Sequence, residues 1–132
     1  MNIFIDTSAV LSVLDENEPN HTADDKIWLR LLDENHTLPS TNYIISEACA
    51  LLQRRLGMLA VRVLLDDMAP VLQIAWVDQK LHADAVQAFL IANRRLLSLV
   101  DCVSFAVMRH SHISTAFAFD HHFEEQGFTC LR

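Results

Sequence analysis

Two rhythms of apolar and polar positions alternate along the chain. Residues 3–5 (Ile-Phe-Ile) and 116–119 (Ala-Phe-Ala-Phe) are apolar at every position, as in short strands covered on both faces. Residues 71–77 (Val-Leu-Gln-Ile-Ala-Trp-Val) read as a further strand, and 128–131 (Phe-Thr-Cys-Leu) as a last short one. Between them the spacing becomes helical. A helix is predicted over about 9–15, capped by Thr7 and Ser8, and another over about 22–34, burying Ile27, Trp28 and Leu31. Pro39, Ser40 and Thr41 introduce the next, whose Ile44, Ile45, Ala48, Leu51, Leu52 and Leu56 form one stripe before Gly57 stops it.

Residues 59–68 predict a helix ending before Pro70. Asp78 starts one with Ala85, Val86, Phe89 and Leu90 inward, and Ser98 opens one with Val100, Val103, Ala106 and Val107 inward. His121–Gln126 makes a turn or two of helix closed by Gly127. Strands alternating with helices predict an α/β sandwich around a mainly parallel sheet, in which ligands gather beyond the carboxyl ends of the strands.

Composition narrows the class. The 132 residues suffice for one domain with one core, and 52% hydrophobic against 20% charged residues is globular. A mean hydropathy of +0.20 leaves room for a second subunit or partner over part of the surface. No stretch reaches the ~20 apolar residues of a membrane span, and Asp6 interrupts the start where a signal peptide would be apolar, so a cytoplasmic protein is expected. Cys49, Cys102 and Cys130 are odd in number and far apart, which fits reduced thiols and neither a disulfide frame nor a zinc site. The net charge of −7 speaks against nucleic-acid binding by bulk electrostatics, although carboxylates gathered around a cation escape that argument.

Both strands that open the question of chemistry end in an aspartate, Asp6 and Asp120. Either residue alone is explained as the N-cap of the next helix. Glu47 lies beside the apolar stripe of its helix, and Asp101 interrupts a segment, Leu-Leu-Ser-Leu-Val-Asp-Cys-Val-Ser-Phe, that is otherwise apolar except for serines. A carboxylate there is paired, neutralised or bound to a cation, or it caps the helix opened by Ser98. Four acids in semi-apolar settings suggest one pocket. Hard oxygen donors without Cys, and without His at ligand spacing, suit Mg²⁺ or Mn²⁺.

The segments "IDTSAV", Glu47 in a mid-chain helix, "LVDCVSFAVMR" and "AFAFDHHFEEQGF" resemble, in order and separation, the four signature segments of PIN-domain ribonucleases. In size the chain is similar to single-domain VapC-type toxins of toxin–antitoxin pairs. The resemblance covers essentially the whole chain, 1–132, as a single PIN-like domain. It implies a three-layer sandwich with a mainly parallel sheet of about five strands between helices. It also implies a Mg²⁺- or Mn²⁺-dependent endoribonuclease that cleaves RNA with a metal-activated water. By that resemblance Asp6, Glu47, Asp101 and Asp120 are the catalytic and metal-holding acids, and Thr7, Ser8 and Ser104 support them. A homodimer and an antitoxin that blocks the site complete the expectation. Many relatives carry Lys or Arg after the last aspartate, where this chain has His121 and His122. Those histidines contact phosphate if protonated or merely open a short helix. Arg54 and Arg109 are candidate phosphate contacts, or ion-pair partners.

Two other readings compete. A haloacid-dehalogenase-like phosphatase needs a second aspartate two residues after the first, where Ser8 stands, and a late lysine, and none follows Lys80. A non-catalytic PIN-fold module that binds RNA or protein needs none of the four acids, yet all four are present.

Overall fold

A computed structural model describes residues 1–131. Five short parallel strands carry the architecture: β1 (Ile3–Ile5), β2 (Pro39–Thr41), β3 (Gln73–Ala75), β4 (Thr115–Phe117) and β5 (Thr129–Leu131). β1, β4 and β5 form one ladder, with Phe4 opposite Ala116 and Ala116 opposite Cys130, and β2 pairs with β3, Ser40 opposite Ile74. The two ladders meet where the amide of Ile3 donates to the carbonyl of Thr37 (2.9 Å) and the hydroxyl of Ser40 donates to the carbonyl of Ile5 (2.9 Å). The resulting order is β3-β2-β1-β4-β5, so the parallel sheet and the α/β class are as expected.

Among the described residues seven α-helices cover the two faces: α1 (Thr7–Leu14), α2 (His21–Asp33), α3 (Asn42–Leu56), α4 (Met58–Arg62), α5 (Gln79–Ala92), α6 (Leu99–His110) and α7 (His121–Glu125). Strand alternation explains why both apolar runs had to be continuous. Ile3, Ile5 and Phe117 point into a core with α1, α2 and α4, while Phe4, Ala116 and Ala118 point into a second core with α6 and α7. Burying a ring such as Phe4 is worth about 2–3 kcal/mol, and its alternating neighbours do the same on the other side. The α1–α2 hairpin has a polar tie as well. The Ser12 hydroxyl donates to the buried Asp24 carboxylate, and His21 Nδ1 donates to the Ser12 carbonyl (2.8 Å).

Four expectations are corrected. Pro39–Thr41 does introduce α3, through a bond from the Ile44 amide to the Thr41 hydroxyl (3.1 Å), but it is also strand β2. Proline is admitted because it takes the first strand position, where no ladder amide is required. The helix over 59–68 is α-helical only to Arg62, then winds as a π-helix over Val63–Met68 and a 3₁₀ turn over Ala69–Val71 that contains Pro70. The 71–77 strand shrinks to Gln73–Ala75, because only those residues find partners on β2 at the sheet edge. Leu90 is not core: it is exposed beside Ile91, while Ala85 is the buried residue of α5.

Candidate active site

Three of the four acids sit where a helix begins. Asp6 follows β1 and caps α1, its Oδ2 accepting from the amide (3.2 Å) and the hydroxyl (2.6 Å) of Ser8. Asp120 follows β4 and caps α7, its Oδ1 accepting from the amide of His122 (2.9 Å). Asp101 lies in the first turn of α6 and closes a capping box with Ser98. Its Oδ2 accepts from the Ser98 amide (3.1 Å), and its own amide donates to the Ser98 hydroxyl (3.0 Å). The capping role and a shared site are therefore not alternatives. Capping occupies one oxygen of each carboxylate and fixes its orientation, and the second oxygen of each is not needed for it.

β1 and β4 are neighbours in the sheet, so their carboxyl ends lie side by side. Ser8 ties them: its hydroxyl donates to Asp6 and accepts from the amide of Phe119 (3.1 Å), the residue before Asp120. The Asp6 amide also donates to the Phe117 carbonyl (3.2 Å). α6 brings Asp101 to the same place. Burial pushes the Asp6 carboxyl from 3.8 up to about 7; the Ser8 bonds oppose the rise and the Asp101 charge adds to it. Burial raises Asp101 too, with the charge of Asp120 adding to that shift. Helix N-termini favour anions by about 0.3–1 kcal/mol, too little to outweigh desolvation of this size.

Glu47 is reached differently. It is half-buried on α3 and borders a shallow hollow with Asn42, Tyr43, Ser46, Leu99 and Val100. Leu99 and Val100 immediately precede Asp101, so Glu47 faces the start of α6. Among the described residues it makes no hydrogen bond or ion pair. Thr7 Oγ1 and Ser104 Oγ are buried with no hydrogen-bond partner among the described residues, the latter one turn beyond Asp101. Buried hydroxyls left open next to buried like charges fit a site that gathers a hard cation and its water; the donor set is oxygen throughout. Asp6, Asp101 and Asp120 are the acids that could share such an ion, but among the described residues their oxygens do not come as close together as the ligand atoms of Asp120, His121 and His122 do.

The histidines after Asp120 differ from each other. His122 is buried, and its Nε2 donates to the Leu96 carbonyl (3.1 Å), which leaves Nδ1 as an acceptor facing Arg94 Nη2 at 3.4 Å. Asp120, His121 and His122 lie close enough together for a metal, but both ring nitrogens of His122 are already engaged. His121 is exposed, 3.1 Å from Glu125 Oε1 and 3.7 Å from Asp120 Oδ1. Of the candidate arginines, Arg109 lies at the far end of α6 from Asp101, bonded to Gln126 Oε1 (2.5 Å) and lying over the Phe128 ring. Arg54 is exposed two turns along α3 from Glu47. The cation beside the acids is one that the sequence reading did not single out, Arg94. Its Nη1 donates to Glu125 Oε2 (2.9 Å), and its charge interacts with that of Asp120. Nothing in residues 93–95 distinguishes Arg94 from its neighbour Arg95, so only the folded chain shows which of the two faces the site.

Comparison with known proteins gives the family and the fold. The PIN domain profile matches residues 3–128. The chain is 30% identical over 131 residues to the 23S rRNA-specific endonuclease VapC20 of Mycobacterium tuberculosis, covering 98% of each chain. The crystal structure of that VapC20, a Sarcin-Ricin loop cleaving toxin, superposes with a TM-score of 0.86 over 98% of both chains. FitAcB from Neisseria gonorrhoeae matches with a TM-score of 0.72 at 14% identity, over 100% of this chain and 97% of that one. VapBC2 from Rickettsia felis, solved on a DNA fragment from its promoter, matches with a TM-score of 0.69 at 11% identity, over 99% and 98%. At those two identities the likeness is one of fold. This chain belongs to the PIN-domain family and is similar to its VapC-type members.

Proposed function

We propose that the protein is a divalent-metal-dependent endoribonuclease of the VapC type, with Asp6, Glu47, Asp101 and Asp120 as its acidic centre. The observation that supports the reading is that β1 and β4 lie side by side with Ser8 tying their ends, which sets Asp6 near Asp120, while the charge of Asp101 acts on Asp6 and that of Asp120 on Asp101. A protein gains nothing in stability from such repulsion, and a cation in the cleft turns it into binding energy.

Mg²⁺ or Mn²⁺ bound there supplies positive charge that acidifies a water and offsets the charge of a scissile phosphate. The chain's own contribution is orientation. Ser8 holds Asp6 and keeps the ends of β1 and β4 together, Ser98 holds Asp101, and the first turn of α7 holds Asp120. These three aspartates are held before substrate arrives, which is the electrostatic advantage of a preformed site. Ser104 and Thr7 support the acids in this reading, and their buried hydroxyls, without a hydrogen-bond partner among the described residues, are free to bond a water. Glu47 closes the site from α3, as a direct or a water-mediated ligand.

The substrate class follows from VapC20, whose name specifies 23S rRNA, so structured ribosomal RNA is the first RNA to test. A cytoplasmic protein working with an antitoxin partner and as a homodimer completes the proposal. Exposed Leu56, Met58, Leu59 and Leu65 around α4, and Leu90, Ile91 and Leu96 around the end of α5, offer apolar surface for such contacts. No helix among the described residues is long and apolar enough to cross a membrane. The decisive experiment incubates purified protein with ribosomal RNA and Mn²⁺ or Mg²⁺, beside the Asp6→Asn variant. Discrete cleavage that needs the ion and vanishes in the variant is expected. Equal cleavage by the variant, or none by the wild type with either ion, overturns the proposal and favours a non-catalytic binding module.

A further inference from the structure

We infer that Arg94 is a substrate-binding residue of this site: it grips an RNA phosphate next to the scissile one and rests on Glu125 until the RNA arrives. The inference builds on the nuclease reading and assigns the cation that an acidic cleft needs in order to hold a polyanion. Arg54 and Arg109 do not fill that role, since neither lies beside Asp120, and Arg109 is engaged with Gln126 at the opposite end of α6.

Arg94 is delivered by a fixed piece of backbone. Asn93 ends α5 in the left-handed conformation (φ 50°) and reverses the chain. The turn that follows is closed by a bond from the Leu97 amide to the Arg94 carbonyl (3.3 Å), and Leu97 is buried. His122 then holds this segment twice, through Leu96 O and through Arg94 Nη2. Because Nε2–H is committed to a carbonyl, Nδ1 carries the lone pair that orients the guanidinium. His122 is thus a positioning residue, which explains why this histidine is buried while His121 is exposed.

The Arg94 side chain remains half-exposed, and the residue also borders an open surface hollow with Phe89, Leu90, Asn93 and Arg95, beside the acids and not among them. Its Nη1 pairs with Glu125, whose side chain is about as exposed, so this is a weak surface ion pair that an incoming phosphate can replace. A planar fork of donors suits that exchange: one edge can move from carboxylate to phosphate while the other stays on His122. Glu125 therefore competes with RNA for Arg94.

The test measures steady-state cleavage of isolated ribosomal RNA with Mn²⁺ across a range of salt concentrations, for wild type, Arg94→Ala, Arg94→Lys and Glu125→Gln. Arg94→Ala is expected to raise KM about tenfold with a smaller change in kcat, and to reduce the slope of log affinity against log salt by about one. Arg94→Lys should restore the slope but only part of KM, because the charge returns without the fork. Glu125→Gln should leave KM unchanged or lower it, which a merely structural ion pair would not do. Unchanged KM and slope in Arg94→Ala overturn the inference while leaving the nuclease reading intact, and so does an equal rise of KM in Arg94→Ala and Glu125→Gln. If the wild type leaves RNA uncut, the nuclease reading fails and Arg94 loses its role with it.

Discussion

Replacing Asp6 by Asn should stabilise the metal-free protein, and the gain should depend on pH in a defined direction. The Asp6 carboxyl is raised from 3.8 to about 7 in the folded chain. Its folded-state pKa lies above the unfolded one, so its contribution is fully favourable below about pH 4 and is lost as pH rises through about 7. At about 1.36 kcal/mol per unit, that loss reaches roughly 4 kcal/mol at pH 8. Asn removes the charge yet keeps an oxygen to accept both Ser8 donors, so the cap of α1 survives. The Ser8 bonds to the charged oxygen are already contained in that shift. A gain of about 3–4 kcal/mol should raise Tm by more than about 10 °C in a domain of this size. Thermal melts in chelator at pH 4, 5.5 and 8 would show the gain shrinking towards zero at the acid end. A variant that melts at or below wild type at pH 8, or a gain equal at every pH, would refute the claim that burial and Asp101 destabilise the Asp6 anion.

Added Mn²⁺ should close most of that gap, raising the wild-type Tm by the equivalent of about 2.7 kcal/mol at a hundredfold excess over Kd while Asp6→Asn gains far less; melts with and without the ion check this. The same stabilisation should weaken from pH 8 to pH 5, because protons compete for Asp6 and Asp101, and a pH-independent metal effect would count against these ligands. Ser8→Ala removes the hydroxyl that joins Asp6 to the Phe119 amide and should cost about 1–3 kcal/mol in denaturant titrations, together with most of the activity. Glu47→Gln should leave stability within about 0.5 kcal/mol, since Glu47 makes no protein hydrogen bond among the described residues, yet reduce RNA cleavage strongly. Phe4→Ala should cost about 3–5 kcal/mol, and its loss of activity should follow the unfolded fraction in melts monitored beside cleavage.

Much of this protein is determined by local sequence. Continuous apolar runs at 3–5 and 116–119 can satisfy a strand only if helices cover both faces, and helical stripes between them supply the covers. Caps are equally local: Asp6, Thr41, Asp78, Ser98 and Asp120 each bond within three residues, so the starts of five helices are written where they occur. Elements that exist only through distant partners were not legible. β2 is built of Pro, Ser and Thr and becomes a strand because β3 lies beside it, and Leu90 keeps its place in the apolar pattern of α5 although it is exposed.

The acids divide in the same way. That Asp6 and Asp120 would terminate strands is a matter of order along the chain. Their adjacency follows from β1 pairing with β4 across more than a hundred residues, and the depth of Asp101 follows from the packing of α6. Arg94 and Arg95 are identical in type and adjacent in sequence. Tertiary contacts alone, with Glu125 and His122 on one side of the loop, select Arg94 for the site. Local chemistry thus determines which residues cap, turn or span, because its range is a few bonds. Which charges meet is decided by packing, because a carboxylate's pKa and a guanidinium's reach depend on neighbours that only the folded chain brings within a few ångströms.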